Sequence, residues 1–113
     1  MKELFKVKDL TFYEEDFQDN IADFEDIIPL MQSLQEEMDL SYEKITCVDI
    51  NDCCNVSKDN YLVEIQGYIN SEDEFITKEE VEKYNLDREQ LDLFVIRIYK
   101  CVDCGKWIID ILE

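Results

Sequence analysis

LFVIRIYKCVDCGKWIIDIL, residues 93–112, holds two β-branched apolar runs on either side of a short polar stretch. LFVIRIYKC (93–101) and KWIIDIL (106–112) each have strand composition. The connection from Cys101 to Lys106 has hairpin length and contains Gly105, one of only 2 glycines in the chain. Two runs so close together pair antiparallel, because a parallel pair needs a crossover of a dozen residues or more. The C-terminal end is therefore read as a hairpin in an antiparallel sheet.

Working back along the chain, YLVEIQGYI (61–69) alternates, with Tyr61, Val63 and Ile65 on one face and Glu64 and Gln66 on the other. KITCVDI (44–50) reads as a strand with Ile45, Cys47 and Ile50 inward, and LFKV (4–7) as a short first strand. Thr77 and Glu80 form a capping box that opens a short helix, TKEEVEKYN, to which LDREQL adds a turn. NDCCNVSKDN and NSEDEF are loops. Thr11 with Glu14 is a second capping box. Beyond it Tyr13, Phe17, Ile21, Phe24, Ile28, Met31, Leu34 and Met38 recur at helical spacing. Pro29 interrupts that stripe, so a kinked or broken helix is expected, and Asn20 offers a later cap. The order β-α-β-β-α-β-β predicts one α+β domain over 1–113. Its antiparallel sheet has about four to five strands, with one long Pro-kinked N-terminal helix and a short second helix.

With 113 residues and 46% apolar side chains the chain can bury a core. Its 29 acidic and 11 basic residues, with no histidine, give a formal charge of −18. That charge disfavours direct contact with nucleic acid or anionic membranes and favours basic protein surfaces. The opening MKELFKVKDL lacks the apolar core of a secretory signal, and no apolar run is long enough to span a bilayer. A cytoplasmic protein with reduced thiols is expected, and 5 cysteines do not close into a disulfide framework.

Cys101-Val-Asp-Cys104-Gly105-Lys-Trp resembles the knuckle of the zinc-ribbon and rubredoxin-like families, where C-x-x-C-G sits at a hairpin tip. The resemblance covers about seven residues and implies a structural metal, zinc first of all. The sequence has no second C-x-x-C and no histidine, so the other ligands must be cysteine or carboxylate. Cys53 and Cys54, in a loop between two predicted strands, are the best donors; one of them with an aspartate is the alternative. Cys47 is read as core. The competing reading makes all five ordinary small buried residues. A thioredoxin-type role is disfavoured because such motifs open a helix. DINDCCNVSKDN (49–60) is not a calcium loop. Asp49 and Asn51 fit, but Cys54 replaces the glycine and Asn60 the final glutamate.

Residues 10–43 contain no lysine or arginine and 11 carboxylates. Glu14, Glu15, Asp16, Asp19, Asp23, Glu25, Asp26, Glu36, Glu37 and Asp39 are the candidate partner-binding residues. A solvated helix usually mixes signs, since opposite charges at i and i+4 stabilise it. Acids at the C-terminal end of a helix also oppose its dipole. A basic partner is the simplest reason for the pattern, with Phe12, Tyr13 and Tyr42 as possible anchors. With Gly67 and Gly105 alone there is no phosphate-cradling loop, and with no histidine the usual proton shuttle is missing. The expectation is a non-catalytic acidic inhibitor that mimics nucleic-acid charge. It would block a basic nuclease or other nucleic-acid-binding protein, as a toxin immunity protein or a phage anti-defence protein. The alternative is a zinc-ribbon-like adaptor built on the cysteines.

Overall fold

The structure, a computed structural model, describes residues 2–51 and 53–112. It is α+β: a mostly antiparallel five-stranded sheet, a two-stranded hairpin and two helices. The chain divides into two compact units, residues 1–63 with 98–108, and residues 64–97 with 109–113.

In the first unit β1 (Glu3–Val7) and β2 (Leu10–Tyr13) form an antiparallel hairpin, with Phe5 opposite Phe12 and Val7 opposite Leu10. A register shift between Glu3 and Phe5 turns Leu4 and Phe5 both inward. The Phe5 and Phe12 rings stack at 4.7 Å. Both meet Trp107 edge-on, at 5.5 and 5.3 Å, and Phe17 closes on the same indole at 4.5 Å. Trp107 Nε1 donates to the Tyr13 carbonyl at 2.8 Å, so the ring is buried without an unpaired N–H. Helix α1 (Ile27–Glu37) buries Ile28, Met31 and Leu34. Its Gln35 Oε1 accepts from Lys6 N at 2.7 Å and its Gln32 Nε2 donates to Leu4 O at 3.0 Å. Two glutamine side chains thereby satisfy backbone groups of β1.

The long helix expected from Thr11 onward is not there. Thr11 and Phe12 lie in β2, and residues 14–16 and 21–24 are short 3-10 turns. Asn20 is the cap that is used, its side chain accepting from Ala22 N at 3.2 Å. Pro29 lies in the first turn of α1, where its missing N–H would have had no partner within the helix, so no kink is needed. Packing from far along the chain replaces the expected helix: Phe17, on the stripe, forms a parallel bridge with Trp107, and Phe12, off the stripe, is pinned between Phe5 and Trp107. Tertiary packing overrides the period.

The sheet runs β3 (Glu43–Thr46), β4 (Asp59–Ile69), β6 (Asp92–Cys101), β7 (Trp107–Leu112), with β5 (Phe75–Thr77) also on β4. In the first unit β3 pairs with the start of β4, from Glu43 opposite Leu62 to Thr46 opposite Asp59. The strand is shorter than 44–50. Cys47 N still reaches Lys58 O at 2.7 Å, then the chain leaves the sheet, and Ile50 faces solvent rather than the core. The loop over 47–58 that follows positions the site.

In the second unit β5 pairs with the end of β4, Gly67 opposite Thr77. A Cβ on Gly67 would lie 2.5 Å from the Phe75 ring, so this crossing needs glycine. The capping box holds: Thr77 Oγ1 accepts from Glu80 N at 3.1 Å, and α2 (Lys78–Lys83) buries Val81. Glu64 and Arg97 pair at 2.8 Å, and the Phe75 and Phe94 rings meet at 5.9 Å.

Candidate metal centre

Two loops of the first unit meet at the cysteines. In the knuckle after β6, Gly105 N donates to Cys101 O at 3.1 Å and Cys101 N to Lys106 O at 2.8 Å. Gly105 closes this turn at φ +80, a conformation open to glycine and costly for most other residues. The 47–58 loop makes the same kind of turn. Cys54 N and Asn55 N both donate to Asn51 O, at 3.4 and 2.9 Å, and Asn55 sits at φ 56. Asparagine tolerates that region better than other residues with a Cβ. Each turn thus puts a left-handed residue directly after a cysteine, Gly105 after Cys104 and Asn55 after Cys54.

The Sγ atoms of Cys53, Cys54, Cys101 and Cys104 all lie within 4.8 Å of one another, and all are free thiols. They are close enough to bind a metal ion. Tetrahedral zinc–thiolate bonds of about 2.3 Å put neighbouring sulfurs about 3.8 Å apart. Cys54 and Cys101 stand at 3.8 Å; Cys53 and Cys104 are closer, at 3.0 Å. A soft, all-sulfur donor set suits zinc, iron or copper(I) and not calcium or magnesium. Cys104 is exposed, Cys53 and Cys54 half-buried and Cys101 buried.

The surroundings favour negative sulfur at one position. Burial opposes ionisation of Cys101, but the Cys104 N–H, the Asn51 amide and the Asp103 N–H outweigh it and bring the thiol down to about 6. Burial pushes the Cys53 thiol up, and its contacts with Cys104 and Cys101 act the same way. Asn51 Nδ2 donates to Cys101 Sγ at 3.3 Å and to Asp59 O at 3.2 Å. Buried Asn60 orients Asn51 by donating to its Oδ1 at 2.8 Å, and also donates to Cys47 Sγ at 3.4 Å. Lys100, only 9% exposed, donates to Gly105 O at 2.6 Å with its ammonium over the Phe12 ring. Burial pulls this ammonium below the usual lysine value, while Asp16, Cys104 and Cys101 hold it up. A half-open cleft of about 540 Å³ runs past Cys53, Cys101 and Trp107.

The sequence reading named the four ligand-type cysteines. It missed Asn51, Asn60 and Lys100, which support them. The signal for the second turn was Cys54-Asn55, which answers Cys104-Gly105. Cys47, read as core, is half-buried, borders the cleft and stands outside the four-sulfur group.

The acidic residues do not share one helix. Glu14, Glu15 and Asp16 form the first 3-10 turn, Asp23 lies in the second, Glu25 and Asp26 lead into α1, and Glu36 and Glu37 end it. Glu14 lies 3.9 Å from the Lys2 ammonium, Glu15 accepts from Lys2 N, and Asp39 pairs with Lys8 at 3.1 Å. Among the described residues, no lysine or arginine forms an ion pair with Asp19, Asp23, Glu25, Asp26, Glu36 or Glu37. All six are exposed. Phe12 is core and not an anchor, and Tyr42 packs on Tyr61 and donates to Asp9 at 2.6 Å.

Fold and site together define a small acidic α+β protein with a four-cysteine cluster. No protein-family model matches the chain, and no curated protein or solved structure is recognisably similar to it.

Proposed function

We propose that this chain is a zinc-stapled, non-catalytic binding protein whose carboxylate surface captures a basic protein that handles nucleic acid. The setting would be that of a toxin nuclease and its immunity protein, or of a phage protein that blocks a host nuclease. The observation that carries the reading is the set of six exposed carboxylates between Asp19 and Glu37 with no cation paired to them among the described residues. Charges left in this way are available to a partner's lysines and arginines and speed its approach. Zinc would be structural. Four thiolates close its tetrahedron and leave no open position for substrate.

The test is capture of a partner from the native host at two salt concentrations. A basic nucleic-acid-handling protein should be held at roughly 50 mM salt and largely released at roughly 200 mM, as for any contact dominated by charge. A partner that is acidic, or whose binding ignores salt, would count against the proposal. A second reading has its own observation. The cysteine loop displays Val48 at 90% and Val56 at 77% exposure, with Ile50 beside them. In an adaptor that used this loop, chelation would end binding and moderate salt would not.

A further inference from the structure

We infer that Cys53 and Cys104 are an oxidation site: a peroxide joins them in a disulfide and the cluster gives up its metal. The inference rests on the metal reading for the release step, but the disulfide itself depends only on the positions of the sulfurs.

The four sulfurs are not equivalent. Cys53 and Cys104 stand 3.0 Å apart, closer than Cys54 and Cys101 at 3.8 Å. Two sulfurs not bonded to each other sit about 3.6 Å apart at van der Waals contact, so the Cys53–Cys104 pair is already inside that contact and needs less movement to bond than Cys54–Cys101. Access favours the same pair. Cys104 is exposed, and half-buried Cys53 borders the cleft, which Cys54 does not; Cys101 borders it too but is buried and held by Asn51. Cys53 and Cys54 are adjacent in sequence, which makes a bond between them strained. Cys47 is engaged by Asn60.

The chemistry balances with hydrogen peroxide as oxidant. The Cys104 thiolate attacks one peroxide oxygen, the O–O bond breaks, and hydroxide leaves, giving a sulfenic acid. The Cys53 sulfur attacks the Cys104 sulfur, the S–O bond breaks, and the oxygen leaves as water, its proton coming from the Cys53 thiol in the metal-free chain and from solvent where zinc holds Cys53 as thiolate; the hydroxide of the first step is protonated to water in the same way. Two thiols lose two electrons and one peroxide becomes two waters. A bound zinc ion would lose two of its four ligands and leave. The two loops would stay tied, now by a covalent bond.

The experiment uses the full chain, purified under reducing conditions and loaded with one equivalent of zinc, then titrated with hydrogen peroxide. Free zinc is followed with a chromogenic chelator, and disulfides are mapped by proteolysis and mass spectrometry. The expected result is a loss of about 2 Da, a Cys53–Cys104 linkage as the first product, and zinc released in step with it. Dithiothreitol with fresh zinc should restore the starting state. Cys47→Ser should behave as the parent. Cys104→Ser should lose the linkage; if that variant does not fold, the peptide map of the parent chain decides alone. A first linkage through Cys47, Cys54 or Cys101, or conversion to sulfonic acids without a disulfide, overturns the inference. Failure of the reduced chain to take up zinc would overturn the metal reading and the release step with it. A Cys53–Cys104 linkage in that metal-free chain would still uphold the disulfide.

Discussion

Asn51→Ala probes whether the cysteines form an organised metal site or only lie near one another. The side chain makes three hydrogen bonds: to Cys101 Sγ at 3.3 Å, to Asp59 O at 3.2 Å, and from Asn60 at 2.8 Å. At about 1 kcal/mol net for each, alanine costs about 3 kcal/mol. Asn60 is 6% exposed and its side chain would keep only its contact to Cys47, so the loss is not below that figure. For a chain of this size 3 kcal/mol lowers Tm by about 10 °C. Loss of the donor to the Cys101 sulfur should also weaken zinc about 10- to 100-fold, as loss of an outer-shell partner usually does. Thermal melts with and without zinc give the first number, and competition with a calibrated chelator gives the second. If the variant melts and binds zinc like the parent, the Asn60–Asn51–Cys101 relay does not organise the site.

Three further outcomes follow. Replacing Asp19, Asp23, Glu25 and Asp26 by their amides should cut partner affinity at least 10-fold and flatten its salt dependence, while zinc stoichiometry and the circular dichroism spectrum stay as they were. Trp107→Ala removes the ring on which Phe5, Phe12 and Phe17 converge and should cost about 3–5 kcal/mol in a denaturant titration; a loss under about 1 kcal/mol would contradict the described core. Gly67→Ala drives a methyl group to 2.5 Å from Phe75 and 2.6 Å from Ile76 O. It should cost about 1–3 kcal/mol, with faster hydrogen exchange over 75–77 and zinc affinity intact.

The strands were legible where the pattern is local. LFKV, YLVEIQGYI and, apart from Lys106, the last two runs lie in strands, since alternation and β-branching act within a few residues. The stretch 11–26 was misread because Phe12 and Phe17 are buried by Trp107 from the far end of the chain, a contact with no local trace. Period reports which residues are buried, and here a hairpin and two 3-10 turns satisfy a spacing that also suits a helix. The C-x-x-C-G spacing marked Cys101 and Cys104 as candidate ligands, and the loop between two expected strands marked Cys53 and Cys54. Their assembly depended on the two turns, and only the first carried a familiar marker, Gly105. Asn51 and Lys100 were invisible for another reason. Nothing in a lone asparagine says that it will donate to sulfur until its loop is placed, and nothing in a lone lysine of β6 says that it will turn onto the Gly105 carbonyl.

The 47–58 loop also shows why a staple belongs in this chain. Beyond Cys47, of its apolar residues Val48, Ile50 and Val56 all face solvent, so burial does little to hold it. Its backbone is fixed by turn bonds and by two cysteines that meet two more from the knuckle. In a chain of −18, self-repulsion works against every such loosely held segment. Zinc on four thiolates would join the loops in spite of that repulsion, but the centre keeps a charge of −2 and so adds to it. Lys100 is the local answer: burial pulls its ammonium below the usual lysine value, and Asp16, Cys104 and Cys101 favour the charge against that pull. The cluster therefore needs its lysine as much as its asparagine. If Lys100→Met leaves zinc affinity at the parent value, the negative charge of the centre is being met somewhere else.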